Sequence, residues 1–198
     1  TSLAEKMGSF ASQYMRFSPS LLNLKYRGTL AKQNVALLRL CFLKGFLSQH
    51  HETVSFVNAE QLAQRIGLRI EEEKDHHFSD YENALKCTLS KREEEFTIGG
   101  VVFSGPHPRL TLINRFVLEM APTGTILTIK NNDRPGIIGA IGACLGKHNV
   151  NIDQFNLGRD QKGGEAMALL RVDEDIKEDV LRELENLPNI NFVCKIRL

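Results

Sequence analysis

Between residues 125 and 152 the chain gathers the side chains best suited to hold a small polar molecule. Asn131, Asn132 and Asp133 stand together, Arg134-Pro135-Gly136 follow, and Asn151 comes after a glycine-rich apolar stretch. Two amides, a carboxylate and free backbone N–H groups in one loop can grip both the ammonium and the carboxylate of a zwitterion. Turn and helix-cap chemistry is the commoner reason for Asn and Asp at such a place. A phosphate cradle fits worse. The glycines run Gly136, Gly139, Gly142, a G-x-x-G-x-x-G spacing and not the G-x-G-x-x-G or G-x-x-x-x-G-K-[ST] of nucleotide loops.

The elements that must position this loop are readable from pattern. A β-branched run over 125–130 predicts a strand. Ile137, Ile138, Ile141, Cys144 and Leu145 predict one apolar stripe of a helix over 136–147, with Pro135 at its first position. Glycines every third residue on that helix suggest close packing on a sheet or on a neighbouring chain. Strands follow at 150–157 and 165–172, around a Gly163-Gly164 turn. A helix over 177–187, opened by Asp173 or Asp175 and closed by Pro188, leads to a last strand at 190–197. The order βαββαβ predicts a four-stranded antiparallel sheet with both helices on one face. RNA-recognition domains share that order, but they need exposed aromatics on the central strands, and Glu165-Ala-Met-Ala-Leu-Leu-Arg-Val172 has none.

Upstream, Ser2 to Glu5 reads as a capping box for a helix ending before Pro19, and Leu22, Leu24 and Tyr26 alternate as a one-sided strand. Residues 34–47 predict a helix buried on several sides. A short strand is predicted at 54–57, a helix capped by Asn58 and closed by Gly67 after it, and a strand restarting at Leu68 and Ile70. The polar run 71–80 reads as a loop. Strands are expected at 83–90, 95–103, 109–113 and 116–120, and Ala121-Pro-Thr-Gly124 is the clearest linker.

Composition narrows the function. The 198 residues are 42% hydrophobic and 25% charged with a formal net charge of +1, room for one large or two small domains. That balance gives no reason to expect nucleic acid or an anionic membrane as partner. No membrane-length apolar run is present. Cys41, Cys87, Cys144 and Cys194 are scattered in apolar runs, as buried free thiols of a reducing compartment would be, and suggest neither disulfides nor a zinc site. His50-His51 and His76-His77 read as loop residues without ligand-spaced partners, so no metal is expected. No nucleophile–base set stands out. The opening Thr1 suggests a chain processed or cut from a longer one.

Asn131-Asn-Asp-Arg-Pro-Gly-Ile-Ile-Gly139, Leu145-Gly146, Asn149-Val-Asn-Ile152, Leu157-Gly-Arg159 and Gly163-Gly-Glu-Ala166 resemble an ACT domain, and more narrowly that of the long D-3-phosphoglycerate dehydrogenase family. Val57-Asn-Ala59, Gly67-Leu-Arg69 and Tyr26-Arg-Gly28 resemble the allosteric-substrate-binding domain that precedes ACT there. Leu3-Ala-Glu-Lys-Met-Gly8 resembles the segment leaving its catalytic domains. The resemblance implies an α+β chain: a mixed α/β allosteric-substrate-binding domain over 1–121, then a ferredoxin-like βαββαβ ACT domain over 122–198. It also implies a cytoplasmic homodimer joined through ACT domains. L-Serine would bind Asn131 and Asp133 of one subunit and Asn151 of the other. A phosphorylated hydroxy acid or phosphate would sit near Arg109, Arg115 and Arg171, although each arginine also reads as an ordinary surface charge. NAD would belong to catalytic domains absent here, since no dinucleotide fingerprint is present. Two other readings stay open: a free-standing amino-acid sensor, and the regulatory portion of an L-serine dehydratase.

Overall fold

A computed structural model describes residues 1–76, 83–103 and 107–198. The chain forms two compact units, Thr1–Asn114 and Arg115–Leu198. In the first, helix α1 (Ser2–Tyr14) packs on α2 (Ala36–Leu47). Glycines allow the approach: a Cβ on Gly8 would sit 2.1 Å from the Phe42 carbonyl oxygen, and one on Gly45 1.9 Å from that of Glu5. Strand β1 (Leu21–Gly28) buries Leu22, Leu24 and Tyr26 and shows its alternate residues outward, as its period of two requires. The unit's other strands are β2 (Arg69–Asp75), β3 (Asn83–Lys91), β4 (Glu94–Phe103) and β5 (His107–Ile113), in the order β2-β1-β3-β4-β5. Only β1 and β2 run parallel. Phe10, Tyr14 and Phe96 bring rings together between α1 and β4, the Tyr14 and Phe96 centroids lying 4.9 Å apart.

Several local expectations are corrected. Residues 71–75 are strand, not loop, because β1 offers cations to the acidic run: Lys25 meets Glu73 at 2.6 Å and Arg27 meets Asp75 at 3.4 Å. Residues 77–80 of the expected loop, His77 among them, lie outside the described residues. Residues 54–57 form no strand. Asn58 closes them into a loop instead, its Oδ1 accepting from the Ser55 N–H and its Nδ2 donating to the Thr53 carbonyl, before α3 (Ala59–Arg65). The Ser2 capping box is absent, since Ser2 is already helical and Glu5 takes Lys44 at 2.7 Å.

The second unit opens with β6 (Phe116–Met120). Then come β7 (Thr125–Asn132), α4 (Ile137–Lys147), β8 (Ile152–Arg159), β9 (Glu165–Val172), α5 (Glu178–Glu185) and β10 (Ile190–Arg197). The antiparallel sheet has the order β10-β7-β9-β8, with β8 at an edge. Leu127 and Ile129, Ala168 and Leu170, and Val193 point to one face and close a core with Ile137, Ile141 and Leu145 of α4 and Val180 and Leu184 of α5. Both helices therefore cover that face, the ferredoxin-like arrangement of an ACT domain. The division falls seven residues before the expected linker because β6 packs beside β8: Gln154 Nε2 reaches the Glu119 carbonyl, and a Cβ on Gly158 would be 2.5 Å from that of Val117. Asp173 and Asp175 do not open α5, whose cap is Lys177.

Candidate functional site

The loop after β7 is built by its neighbours. Asn132 N–H donates to the Asn189 carbonyl and Asp133 N–H to that of Gly164, so β7 runs past its sheet partners before turning. Gly136, not Pro135, precedes α4; its φ of 91° is open to glycine at little cost. Asp133 is half-buried. Its Oδ2 accepts from the Gly163 N–H at 3.0 Å and faces Arg159 Nη1 at 3.4 Å. These two contacts, the backbone one foremost, hold its carboxyl below the usual range. Asn131 is 2% exposed; its Nδ2 donates to the Asn132 carbonyl at 2.9 Å, while its buried Oδ1 has no partner. A buried acceptor left open costs about 1–3 kcal/mol, which a donor from a ligand would return.

Asn151 lies elsewhere. Its Nδ2 donates to Asp173 at 2.6 Å and its N–H to Glu174 at 2.7 Å, just before β8. Register places Asn131 beside Ala166 and Ile152 beside Val172, opposite ends of β9. Six residues of strand separate them, roughly 20 Å. One chain cannot bring Asn131 and Asp133 onto the same small molecule as its own Asn151.

The three arginines stand on different elements. Arg109 is on β5 of the first unit, where its Nη1 donates to the Pro108 carbonyl. Arg115 pairs with Asp160 at 3.3 Å and with Glu165, at the Asn131 end of β9. Arg171 pairs with Asp153 and donates to Thr123 at 3.2 Å, at the other end. Within the second unit, then, Arg115 and Arg171 do not share a site.

Two features were not read as sites from the sequence. Arg159 faces Asp133 from the end of β8; its place in the Leu157-Gly-Arg159 motif was the available signal. Cys144, His148 and Glu183 meet between α4 and α5, with His148 Nε2 2.8 Å from Glu183 and Lys147 Nζ 2.8 Å from the same carboxylate. Lys147 and then His148 lower the Glu183 carboxyl to about 2, and burial pushes the Cys144 thiol up. Glu183 is far off in sequence, so nothing local could announce the trio. All four cysteines are free and buried. No helix among the described residues is long and apolar enough to cross a membrane.

A four-stranded antiparallel sheet under two helices, with a polar loop leading into the first helix, is an arrangement that ACT domains have, and the ACT family model matches residues 125–189. Residues 1–114 match the D-3-phosphoglycerate dehydrogenase intervening domain, and the chain belongs to that family. It is 32% identical over 197 residues to the D-3-phosphoglycerate dehydrogenase of Bacillus subtilis (strain 168), covering 99% of this chain and 38% of the relative. A Methanocaldococcus jannaschii protein of the same name is also 32% identical, with 99% and 37% covered. One from Mycobacterium tuberculosis (strain ATCC 25618 / H37Rv) is 33% identical over 182 residues, with 90% and 34% covered. The chain thus spans little more than a third of the length of the curated relatives it matches, and corresponds to their regulatory region of intervening plus ACT domains.

Proposed function

We propose that this chain is the effector-sensing region of a D-3-phosphoglycerate dehydrogenase, binding L-serine between the ACT units of two copies. One observation carries the reading: Asn131 and Asp133 lie at one end of the sheet and Asn151 at the other, with the edge strand β8 running between. Antiparallel pairing of β8 with its counterpart in a second copy sets the start of one strand against the end of the other. Asn151 then meets the partner's Arg159 end, where Asp133 also sits. Two such sites form per dimer. Asp133 takes the ammonium, Arg159 the carboxylate, and Asn131 and Asn151 the remaining polar contacts. Exposed sheet edges favour such pairing. A ligand that bridges two copies stabilises the arrangement that closes the site, the differential affinity regulation needs.

Catalysis and NAD would reside in parts of a longer protein, and the isolated chain is expected to oxidise no 3-phosphoglycerate. An anion would have to displace Asp153 from Arg171, and Asp160 and Glu165 from Arg115. Calorimetry with a panel of amino acids tests the effector claim. Serine is expected to bind, and Asp133→Asn to abolish binding while keeping an acceptor for the Gly163 N–H. Equal heats from the native chain and Asp133→Asn would contradict it.

A further inference from the structure

We propose that Cys144, His148 and Glu183 form a binding site for one zinc ion between α4 and α5, independent of the effector loop. His148 is the residue that ends α4, four positions after Cys144, and it is brought to the Cys144 side of the helix end. Glu183 enters from α5. One ligand atom from each, drawn from sulfur, imidazole nitrogen and carboxylate oxygen, lies within 4.8 Å of the other two. Tetrahedral zinc with bonds of about 2.0–2.3 Å holds its ligands roughly 3.3–3.8 Å apart. To reach that spacing the His148–Glu183 pair would open from 2.8 Å and the sulfur would move in.

The donor set matches the ion. Thiolate, imidazole and carboxylate are the three ligand types that zinc shares among its sites. A thiolate and a carboxylate together balance its double charge, the thiol proton leaving to solvent. Burial fits as well. Cys144 is in the core cluster, whereas the His148 and Glu183 side chains are 25% and 35% exposed, which leaves the fourth position to water. Lys147, His148 and the Cys144 thiol all meet at the Glu183 carboxylate, so a soft sulfur, an imidazole and a carboxylate share one point. Lys147 is the competitor, since metal must take Glu183 from it. The ion would tie α4 to α5 at the end of α4 remote from Asp133.

The test titrates cobalt(II) into the chelator-treated 198-residue chain in a thiol-free reductant. One equivalent per chain is expected to give a sulfur-to-cobalt charge-transfer band with intense visible bands of tetrahedral geometry, both bleached by zinc. Cys144→Ser is expected to lose the charge-transfer band, and His148→Gln and Glu183→Gln each to weaken binding at least tenfold. Lys147→Ala should tighten binding, an outcome that a purely structural cluster would not give. A His50→Ala/His51→Ala variant should behave as the native chain. Circular dichroism checks each fold. Should Cys144→Ser fail to fold, the His148, Glu183 and Lys147 variants decide. No band up to millimolar cobalt, a band persisting in Cys144→Ser, or unchanged affinity in folded His148→Gln and Glu183→Gln would overturn the proposal.

Discussion

Glycine does opposite things in helices of the two units. In the first, Gly8 and Gly45 lie where α1 and α2 meet backbone to backbone, and any side chain there would enter a carbonyl of the other helix. In the second, Gly139, Gly142 and Gly146 of α4 face open space; a Cβ at any of them meets nothing within 4 Å. The first unit is organised by close packing of α1 on α2 and by aromatic contact among Phe10, Tyr14 and Phe96. The second gathers polar groups at its margins: an unpartnered Asn131 Oδ1, a held Asp133, and a carboxylate on α5 serving three neighbours. A close-packed unit resists change, whereas a polar loop beside an open helix face can answer a ligand.

The largest expected effect breaks the first half of that contrast. Gly45→Ala and Gly8→Ala should each cost about 3 kcal/mol or more in urea unfolding, at the upper end for overpacking against a backbone that cannot yield. Gly139→Ala should instead be neutral, or stabilise by about 0.5–1 kcal/mol through helix propensity. Equal losses at Gly45 and Gly139 would remove the distinction. A Gly139→Ala chain that is stable yet loses serine binding would sharpen it, by placing the open face of α4 against a second copy.

The βαββαβ order of the second unit was legible because each period is clean: apolar residues three and four apart on α4, and strand runs separated by Gly and Asn. The site was only partly legible. Asn131 and Asp133 stand in one visible loop, but the distance to Asn151 depends on strand register, which no local pattern encodes. The same limit hid Arg159 opposite Asp133 and Glu183 opposite His148. Residues 71–75 misled for a related reason, since an acidic run looks like a loop until the cations of β1 are set beside it. Asn58 does stand at the N-cap of α3, but its side chain closes the preceding loop and makes no capping hydrogen bond.

A smaller effect concerns acid. Asp133 is held below its usual range chiefly by the Gly163 N–H, Glu165 by Lys130 and Asp175 by Arg197, all in the second unit. Groups with depressed folded values stabilise fully above their unfolded values and lose that contribution as pH falls through the folded ones. Near-neutral stability should therefore be flat in these groups and decline as pH drops below the ordinary carboxyl values of 3.8 and 4.5. Lys130→Met should shallow the decline, as followed by thermal melting between pH 5 and 2 (roughly the acid range for paired carboxylates). A native chain whose melting point holds constant across that range would contradict the assignment.

The smallest effect belongs to the arginines. Arg171→Ala removes one partly exposed pair and should cost under about 1 kcal/mol. Because Arg115 and Arg171 hold carboxylates at opposite ends of β9, phosphate should barely move the melting point of either form. A clear rise in the native chain, lost in Arg171→Ala, would restore a shared anion site.

The composite effector site is tested most directly by mixing Asp133→Asn with Asn151→Ala. Alone, the first should bind no serine, and the second should bind more weakly by about 1–3 kcal/mol, the usual cost of a lost buried polar partner. A mixed dimer has one site damaged at both positions and one built wholly from native residues. Calorimetry on the mixture should therefore recover native-affinity binding at up to half of the dimers' mixed fraction (roughly a quarter of all sites if exchange is random, one native site in each mixed pair). If both variants still dimerise and mixing recovers none, serine does not bridge two copies and the account is wrong.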